Sequence, residues 1–297
     1  MHDIAILAQA LTKNYGRVQA LRGVDLEVNK GEIFGFLGPN GAGKTTTIRC
    51  MLDMIRPNSG TLRLLGLNPQ IDSVAVRAKV GYLPGELAFE GNVTVEATLR
   101  YLASLRGNNI DWNFVRQLAE RLELDLKPQF KNLSKGNKQK VGVIQALMHR
   151  PELLLLDEPT SGLDPLIQQE VLKLVHEARN AGATVFFSSH ILSEVEEMAE
   201  RVAIIRKGVV VETAEVNSLM RRSVRRARIH FEQAVEVNGL KNIQGITILS
   251  RDETSINLQI EGGMDALIKA LAKYPVRDFE TERPSLEEIF MAYYEEK

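Results

Sequence analysis

Apolar residues fall into different rhythms along this chain, and each rhythm predicts a different kind of element. Up to about residue 30 they alternate with polar ones: "IAILAQAL" (4–11) and "VDLEV" (24–28) predict strands. "EIFGFLG" (32–38) predicts a short buried strand that runs straight into a glycine-rich loop. Beyond that loop Ile48, Met51, Leu52 and Ile55 share one helical stripe, which Pro57 and the turn "PNSG" should end. "TLRLLG" (61–66) and "VGYLP" (80–84) predict two further strands.

From about residue 94 to 148 the period becomes helical. Thr94 can cap a helix carrying Leu99, Leu102 and Leu105, and Asp111 one carrying Phe114, Leu118 and Leu122. Ser134 opens a third, with Val141, Ile144, Leu147 and Met148. Strand–helix alternation then resumes with "LLLLD", a helix near 165–180, "ATVFFSS", a helix near 191–199 and "VAIIR". This order predicts a mostly parallel α/β sheet interrupted by a helical block.

The character changes near residue 215. "RRSVRRAR" (221–228) is a dense arginine run, read as a solvated linker face rather than a membrane or nucleic-acid contact. Strand patterns follow in "ARIHFE", "GITILS", "SINLQI" and "VRDFETE", with a helix at "MDALIKALAK" and a last one carrying Leu286, Ile289, Phe290 and Tyr293. These predict a small α+β domain over 222–297, after a larger domain over 1–215 whose helical part covers about 86–150.

Composition narrows the function without naming it. A formal net charge of −1 over 297 residues gives no global field for nucleic acid or acidic lipid. The single cysteine, Cys50, excludes an internal disulfide and a cysteine-based metal cage. No window offers the ~20 apolar residues of a membrane span, and the N-terminus lacks the pattern of a signal peptide. The expectation is a soluble, cytoplasmic chain.

Two motifs carry chemistry. "GPNGAGKTT" fits the phosphate-loop spacing from Gly38 to Thr45, between a predicted strand and a predicted helix. Its glycines let the backbone wrap phosphates, Lys44 reaches the β and γ groups, and the Thr45 hydroxyl can ligate Mg²⁺. "LLLLDEP" (153–159) brings Asp157 to the Mg²⁺ shell and Glu158 to where an attacking water would stand. Its acids could equally cap the following helix. Ser134 and Gly136 of "NLSKGNKQK" form a second loop suited to an anion, although Ser134 is also an ordinary helix cap.

The order "GPNGAGKTT", "LSKGN", "LLLLDEP", "SGLD" and then a lone His190 after a strand resembles the ATP-binding subunit of ABC transporters over residues 1 to about 215. "SKG" followed by "KQ", and the tail "PSLEEIF" with "YY", are similar to its exporter-type branch. The resemblance implies a P-loop NTPase cassette of the ABC type, with a mixed β-sheet core and a helical subdomain, followed by the small C-terminal domain. It implies that Gly38, Pro39, Asn40, Gly41, Ala42, Gly43, Lys44, Thr45 and Thr46 hold ATP and that Tyr15 stacks on adenine. Ser134 and Gly136 would contact the γ-phosphate of a nucleotide held by another subunit, head to tail. Asp164 would cross the dimer interface, and His190 would hold the γ-phosphate and orient water. Tyr15 could instead be a core-edge tyrosine, and His190 and Asp164 simple helix caps.

The sequence departs from the family in two places. "LSGGQ" is here "LSKGN", with Lys135 and Asn137 substituted. After "VGYLP" the usual glutamine is replaced by Gly85, followed by Glu86, so Glu86 is the candidate for a Mg²⁺-linked sensing role. The resulting expectation is an ATPase that uses ATP and Mg²⁺, pairs with a second copy and drives a separate integral membrane permease. It would lie at the inner face of the cell membrane, with no nucleic-acid partner. A soluble remodelling ATPase and a non-hydrolysing nucleotide-gated scaffold are the rival readings.

Overall fold

The computed structural model describes residues 3–87, 89, 92–106, 110–222, 225–235, 240, 243–261 and 263–282. The chain divides into two compact units, Met1–Val216 and Asn217–Lys297.

In the first unit β1 (Ile4–Tyr15), β2 (Val18–Asn29), β3 (Ile33–Leu37), α1 (Lys44–Met51) and β4 (Ser59–Leu64) come first, then α2 (Ser73–Lys79) and β5 (Val80–Leu83). The helical block holds α3 (Val95–Ser104), α4 (Trp112–Arg121) and α5 (Lys135–Leu147). β6 (Leu153–Asp157), α6 (Pro165–Asn180), β7 (Thr184–Ser189), α7 (Leu192–Met198), β8 (Arg201–Arg206) and β9 (Val209–Glu215) complete it. A six-stranded sheet runs in the order β5-β6-β7-β3-β8-β9; its first five strands are parallel and β9 is antiparallel. β3, β6 and β7 are buried at every position, as the unbroken apolar runs of a covered parallel sheet require. A separate antiparallel sheet has the order β2-β1-β4. One apolar core joins it to the main sheet through Ile6, Leu26, Leu62, Ile48, Phe36 and Phe186.

Register decides where the chemistry goes. Leu37 pairs with Ser189, and Asp157 pairs with Ser188. The chain therefore leaves β3, β6 and β7 at one sheet edge, the carboxyl end of parallel strands, where open α/β folds bind ligands. Gly38, Glu158 and His190 are the first residues past those three ends.

The caps expected at Thr94 and Asp111 are present: Thr94 accepts from the Ala97 N–H, and Asp111 from the Asn113 and Phe114 N–H groups. The stripe expected through Ile55 is not one helix. α1 ends at Met51, where Asp53 takes a φ of 52° and the N–H groups of Asp53 and Met54 bond back to the carbonyls of Cys50 and Arg49. That left-handed stop closes the helix well before Pro57. Leu105 lies just past the end of α3 and is exposed, so it is not part of that helix's buried stripe.

The second unit takes up the strand pattern after α8 (Val216–Arg222), with β10 (Arg225–Phe231), β11 (Ile246–Arg251), β12 (Ser255–Ile260), α9 (Asp265–Leu271) and β13 (Val276–Glu282). Its sheet is antiparallel, in the order β11-β12-β10-β13. Ile229, Phe231, Ile256, Leu258 and Ile260 pack with Leu267 and Leu271 of α9. The arginine run is thus partly strand rather than linker: Arg226 and Arg228 are exposed while Ala227 and Ile229 are buried, the alternation of a half-covered sheet. The terminal helix expected around 286–293 lies outside the described residues. Among the described residues no helix is long and apolar enough to cross a membrane.

Candidate active site

The glycine loop is shaped by what surrounds it. A Cβ on Gly38 would stand 2.5 Å from the Ile205 carbonyl oxygen, and one on Gly43 would stand 2.9 Å from the Ala20 carbonyl oxygen. Gly43 also takes a φ of 116°, a backbone that side chains oppose. It stands at the start of α1, and no side chain caps that helix end. The first N–H groups of α1 therefore face the loop as donors, the arrangement that suits a phosphate.

Lys44 opens α1 and is only 5% exposed. Its Nζ donates to the carbonyl of Gly38 at 2.7 Å and to that of Pro39 at 3.3 Å, which holds the ammonium over the loop. Nζ also lies 3.7 Å from Glu158 Oε1. Burial pushes the Lys44 pKa below the ordinary lysine range, while Glu158 and Asp157 pull it back up. An incoming phosphate would pull in the same direction as those carboxylates.

Asp157, 2% exposed, is bonded at both carboxylate oxygens. Thr45 Oγ1 donates to its Oδ2 at 2.7 Å, and Ser188 Oγ donates to its Oδ1. Register and hydrogen bonding together put the Thr45 hydroxyl and the Asp157 carboxylate side by side. Both are hard oxygens of the kind Mg²⁺ takes, with the rest of its shell supplied by phosphate and water. Among the described residues no cluster of three or more His, Cys, Asp or Glu could hold a metal. A divalent ion here fits the pair best as a companion of phosphates.

Glu158 has a φ of 52°, a left-handed backbone uncommon for a residue with a side chain. Such strain costs on the order of 1–3 kcal/mol and persists only where neighbours hold it. Here the Glu158 N–H bonds to the Ser188 carbonyl at 3.1 Å, and Gln139 Nε2 donates to the carbonyls of Glu158 and Pro159 at 2.9 and 3.1 Å. The Glu158 carboxylate then lies 3.0 Å from His190 Nδ1. Glu194 ties the two turns together, accepting from Thr160 Oγ1 at one oxygen and from Ser189 Oγ at the other, the latter at 2.6 Å.

Lys44, Thr45, Asp157, Glu158 and His190 thus converge. Tyr15, at the end of β1, is 45% exposed, with the Lys13 ammonium 5.5 Å from its ring centre. Ser134 caps α5 by accepting from the Asn137 N–H at 3.2 Å, which leaves its O–H as a donor. A Cβ on Gly136 would stand 2.7 Å from the Gly162 carbonyl oxygen, so this glycine has a packing reason of its own. Asp164 caps α6 through the Ile167 N–H at 3.1 Å.

Gly85 lies against Asp157, where an added Cβ would be 3.4 Å from Oδ2. Glu86 is exposed and lines a cavity of about 650 Å³ with Arg49, Arg77, Tyr82, Arg106 and Gln145. The Gly85 backbone thus lies against Asp157, and the Glu86 side chain lines the cavity.

Sequence reading singled out neither Gln139, Ser188 and Ser189 nor Thr160 and Glu194. Only the "KQ" after "SKG" hinted at Gln139; Ser188 and Thr160 bond to partners that become adjacent only in the fold, and the local Ser189–Glu194 pair carries no motif.

With this geometry in place, comparison with known proteins is specific. The ABC transporter family model matches residues 21–161. A model described as the C-terminal domain of "ATP-binding protein DrrA1-3-like" matches residues 218–294. An "AAA domain, putative AbiEii toxin, Type IV TA system" model matches residues 129–196, a stretch that includes Ser134, Asp157, Glu158 and His190. The bacitracin transport ATP-binding protein BcrA of Enterococcus faecalis is 38% identical over 74% of this chain and 72% of its own. The daunorubicin/doxorubicin resistance ATP-binding protein DrrA of Streptomyces peucetius is 32% identical over 97% of this chain and 92% of its own. A solved ATP-binding subunit of an ABC transporter superposes with a TM-score of 0.67 at 28% identity, covering 73% of this chain and 92% of the other.

Proposed function

This chain belongs to the ATP-binding subunits of ABC transporters, and on that footing we propose that it pairs with a second copy, hydrolyses ATP at the shared interface and drives a separate membrane permease of the exporter type. The observation that carries the reading is the Glu158 carboxylate, 3.7 Å from Lys44 Nζ and 3.0 Å from His190 Nδ1 on a backbone held in a strained turn.

In this reading the loop N–H groups and Lys44 bind the β- and γ-phosphates. Glu158 takes a proton from the attacking water, and His190, bonded to Glu158, faces the γ-phosphate. Thr45 and Asp157 would hold Mg²⁺, which supplies charge neutralisation on the phosphate oxygens. Tyr15 contacts the base. Ser134 and Gly136 of each copy reach the nucleotide held by the other. Similarity to BcrA and DrrA supports export rather than import, and in this reading the chain works at the cytoplasmic face beside its permease.

Phosphate release by the purified chain with Mg²⁺ and ATP tests the proposal. Turnover that Glu158→Gln abolishes while nucleotide still binds is the expected result. A parent chain that binds ATP and releases no phosphate would replace the ATPase with a nucleotide-gated scaffold.

A further inference from the structure

Gln139 occupies a place that the transport reading does not explain. It is 3% exposed, on the second turn of α5, yet it spends its amide on backbone. Nε2 donates to the carbonyl of Glu158 at 2.9 Å and to that of Pro159 at 3.1 Å. Both acceptors lie in the turn where Glu158 holds its φ of 52°. A residue in that conformation needs outside contacts to keep it there. Gln139 supplies two of them, and the Ser188 carbonyl, through the Glu158 N–H, supplies another.

The same helix meets the following loop a second time. The Gly136 backbone lies so close to the Gly162 carbonyl that a Cβ would fall at 2.7 Å, and the stem of Lys135 lies over Gly162. α5 is thus seated along the 158–162 segment at both its first and second turns.

We infer that Gln139 is a positioning residue for the Glu158 carboxylate of its own chain. This rests on the proposed reading in which α5 begins with a grip on the other copy's nucleotide. One helix then has two tasks. Its N-terminus, at Ser134, serves the neighbour's ATP, and its buried amide holds the base that takes the proton from water attacking the chain's own ATP. Without the two amide bonds the Glu158 backbone relaxes toward ordinary angles, and the carboxylate loses its 3.0 Å registration with His190.

The test is Gln139→Met, which keeps length and approximate volume and removes the donor, with Gln139→Asn as a second variant too short to span both carbonyls. Turnover should fall at least about tenfold in Gln139→Met, with the KM for ATP changed less than about twofold, because a displaced base weakens the transition state and leaves ground-state binding alone. Backbone amides of residues 160–163 should exchange with deuterium faster in both variants.

The decisive arm uses mixed dimers of Ser134→Arg and Lys44→Ala chains, whose one working site takes Glu158 from the first chain and Ser134 from the second. Gln139→Met added to the Ser134→Arg chain should lower the residual rate, and added to the Lys44→Ala chain should leave it unchanged. The reverse pattern would make Gln139 a support for the Ser134 grip and overturn the inference. Parental turnover and exchange in both variants would overturn it too. A parent chain without turnover would instead strike the function proposed above, and the exchange measurement would still decide the role of Gln139.

Discussion

The starts of α1 and α5 are both offered to phosphate, and they are built in opposite ways. α1 begins after Gly43, with no capping side chain and a buried lysine folded back over its own loop. α5 begins after Ser134, whose hydroxyl already caps the Asn137 N–H. An uncapped helix end leaves donors without partners and is most stable with an anion in place. A capped end is satisfied alone and keeps only part of its donor capacity for a visitor. The first is therefore a binding site for the single chain. The second is a contact that the single chain can leave idle until a neighbour arrives. The neighbourhoods agree: Lys44 is surrounded by Asp157 and Glu158, while Ser134 and Lys135 are exposed.

The sharpest way to break this comparison is to remove the base from the α1 side. Glu158→Gln should lower turnover by roughly 10²–10⁴ while ATP still binds and holds the dimer closed, as read by phosphate release and size with Mg-ATP. A variant near the parental rate would remove Glu158 from that role.

Next comes the contrast in affinity. Lys44→Ala deletes charge-assisted contacts worth about 1.5–3 kcal/mol, so monomer affinity for ATP should fall roughly 10- to 150-fold. Ser134→Arg should leave monomer affinity unchanged and still abolish turnover. Equilibrium binding at dilutions where the chain is monomeric separates the two.

A smaller effect tests the seating of α5. Gly136→Ala places a Cβ at 2.7 Å from the Gly162 carbonyl, and overpacking of this kind costs about 1–3 kcal/mol. The melting temperature should drop, and turnover should drop more than ATP affinity. Unchanged melting would mean that the loop gives way freely.

The smallest effect is a control that lies in neither grip. Burial, with help from Arg106, pushes the His149 pKa from 6.5 down to about 4, against a bond to the Val80 carbonyl. The unfolded chain then takes the proton first as pH falls, so this contribution to stability is complete above about 6.5 and declines toward 4. His149→Gln should flatten that part of the acid slope in urea titrations and leave ATP affinity at neutral pH alone.

The α1 side of this comparison was legible in the sequence because its residues are contiguous and its strand ends are marked. Four leucines ending in Asp157 and Glu158 read as a buried strand delivering acids once the phosphate loop is beside them, and the glycine spacing states its own geometry. The supports of Glu158 were not legible. Gln139 acts on carbonyls 19 and 20 residues away, and Glu194 accepts from Thr160, 34 residues away, a partner reached only when β6 and β7 pair. The stop of α1 at Asp53 was missed because the left-handed residue there is not glycine. β9 was missed because its burial alternates from Val210 onward while its residue types do not: Val211 is exposed and Glu212 half-buried, so the sequence shows no period of two. Glu86 is a candidate by position in the motif, and what the fold adds is the Gly85 backbone beside Asp157.

Complementation between two dead variants tests most directly whether the two helix starts serve different chains' nucleotides. Ser134→Arg and Lys44→Ala chains, each inactive alone, are mixed in equal amounts with Mg-ATP and phosphate release is followed. Half of the dimers would pair the two variants and hold one intact site of two, so the account predicts roughly a quarter of the parental rate. A mixture as inactive as its components, although size measurement shows that mixed dimers form, would contradict it.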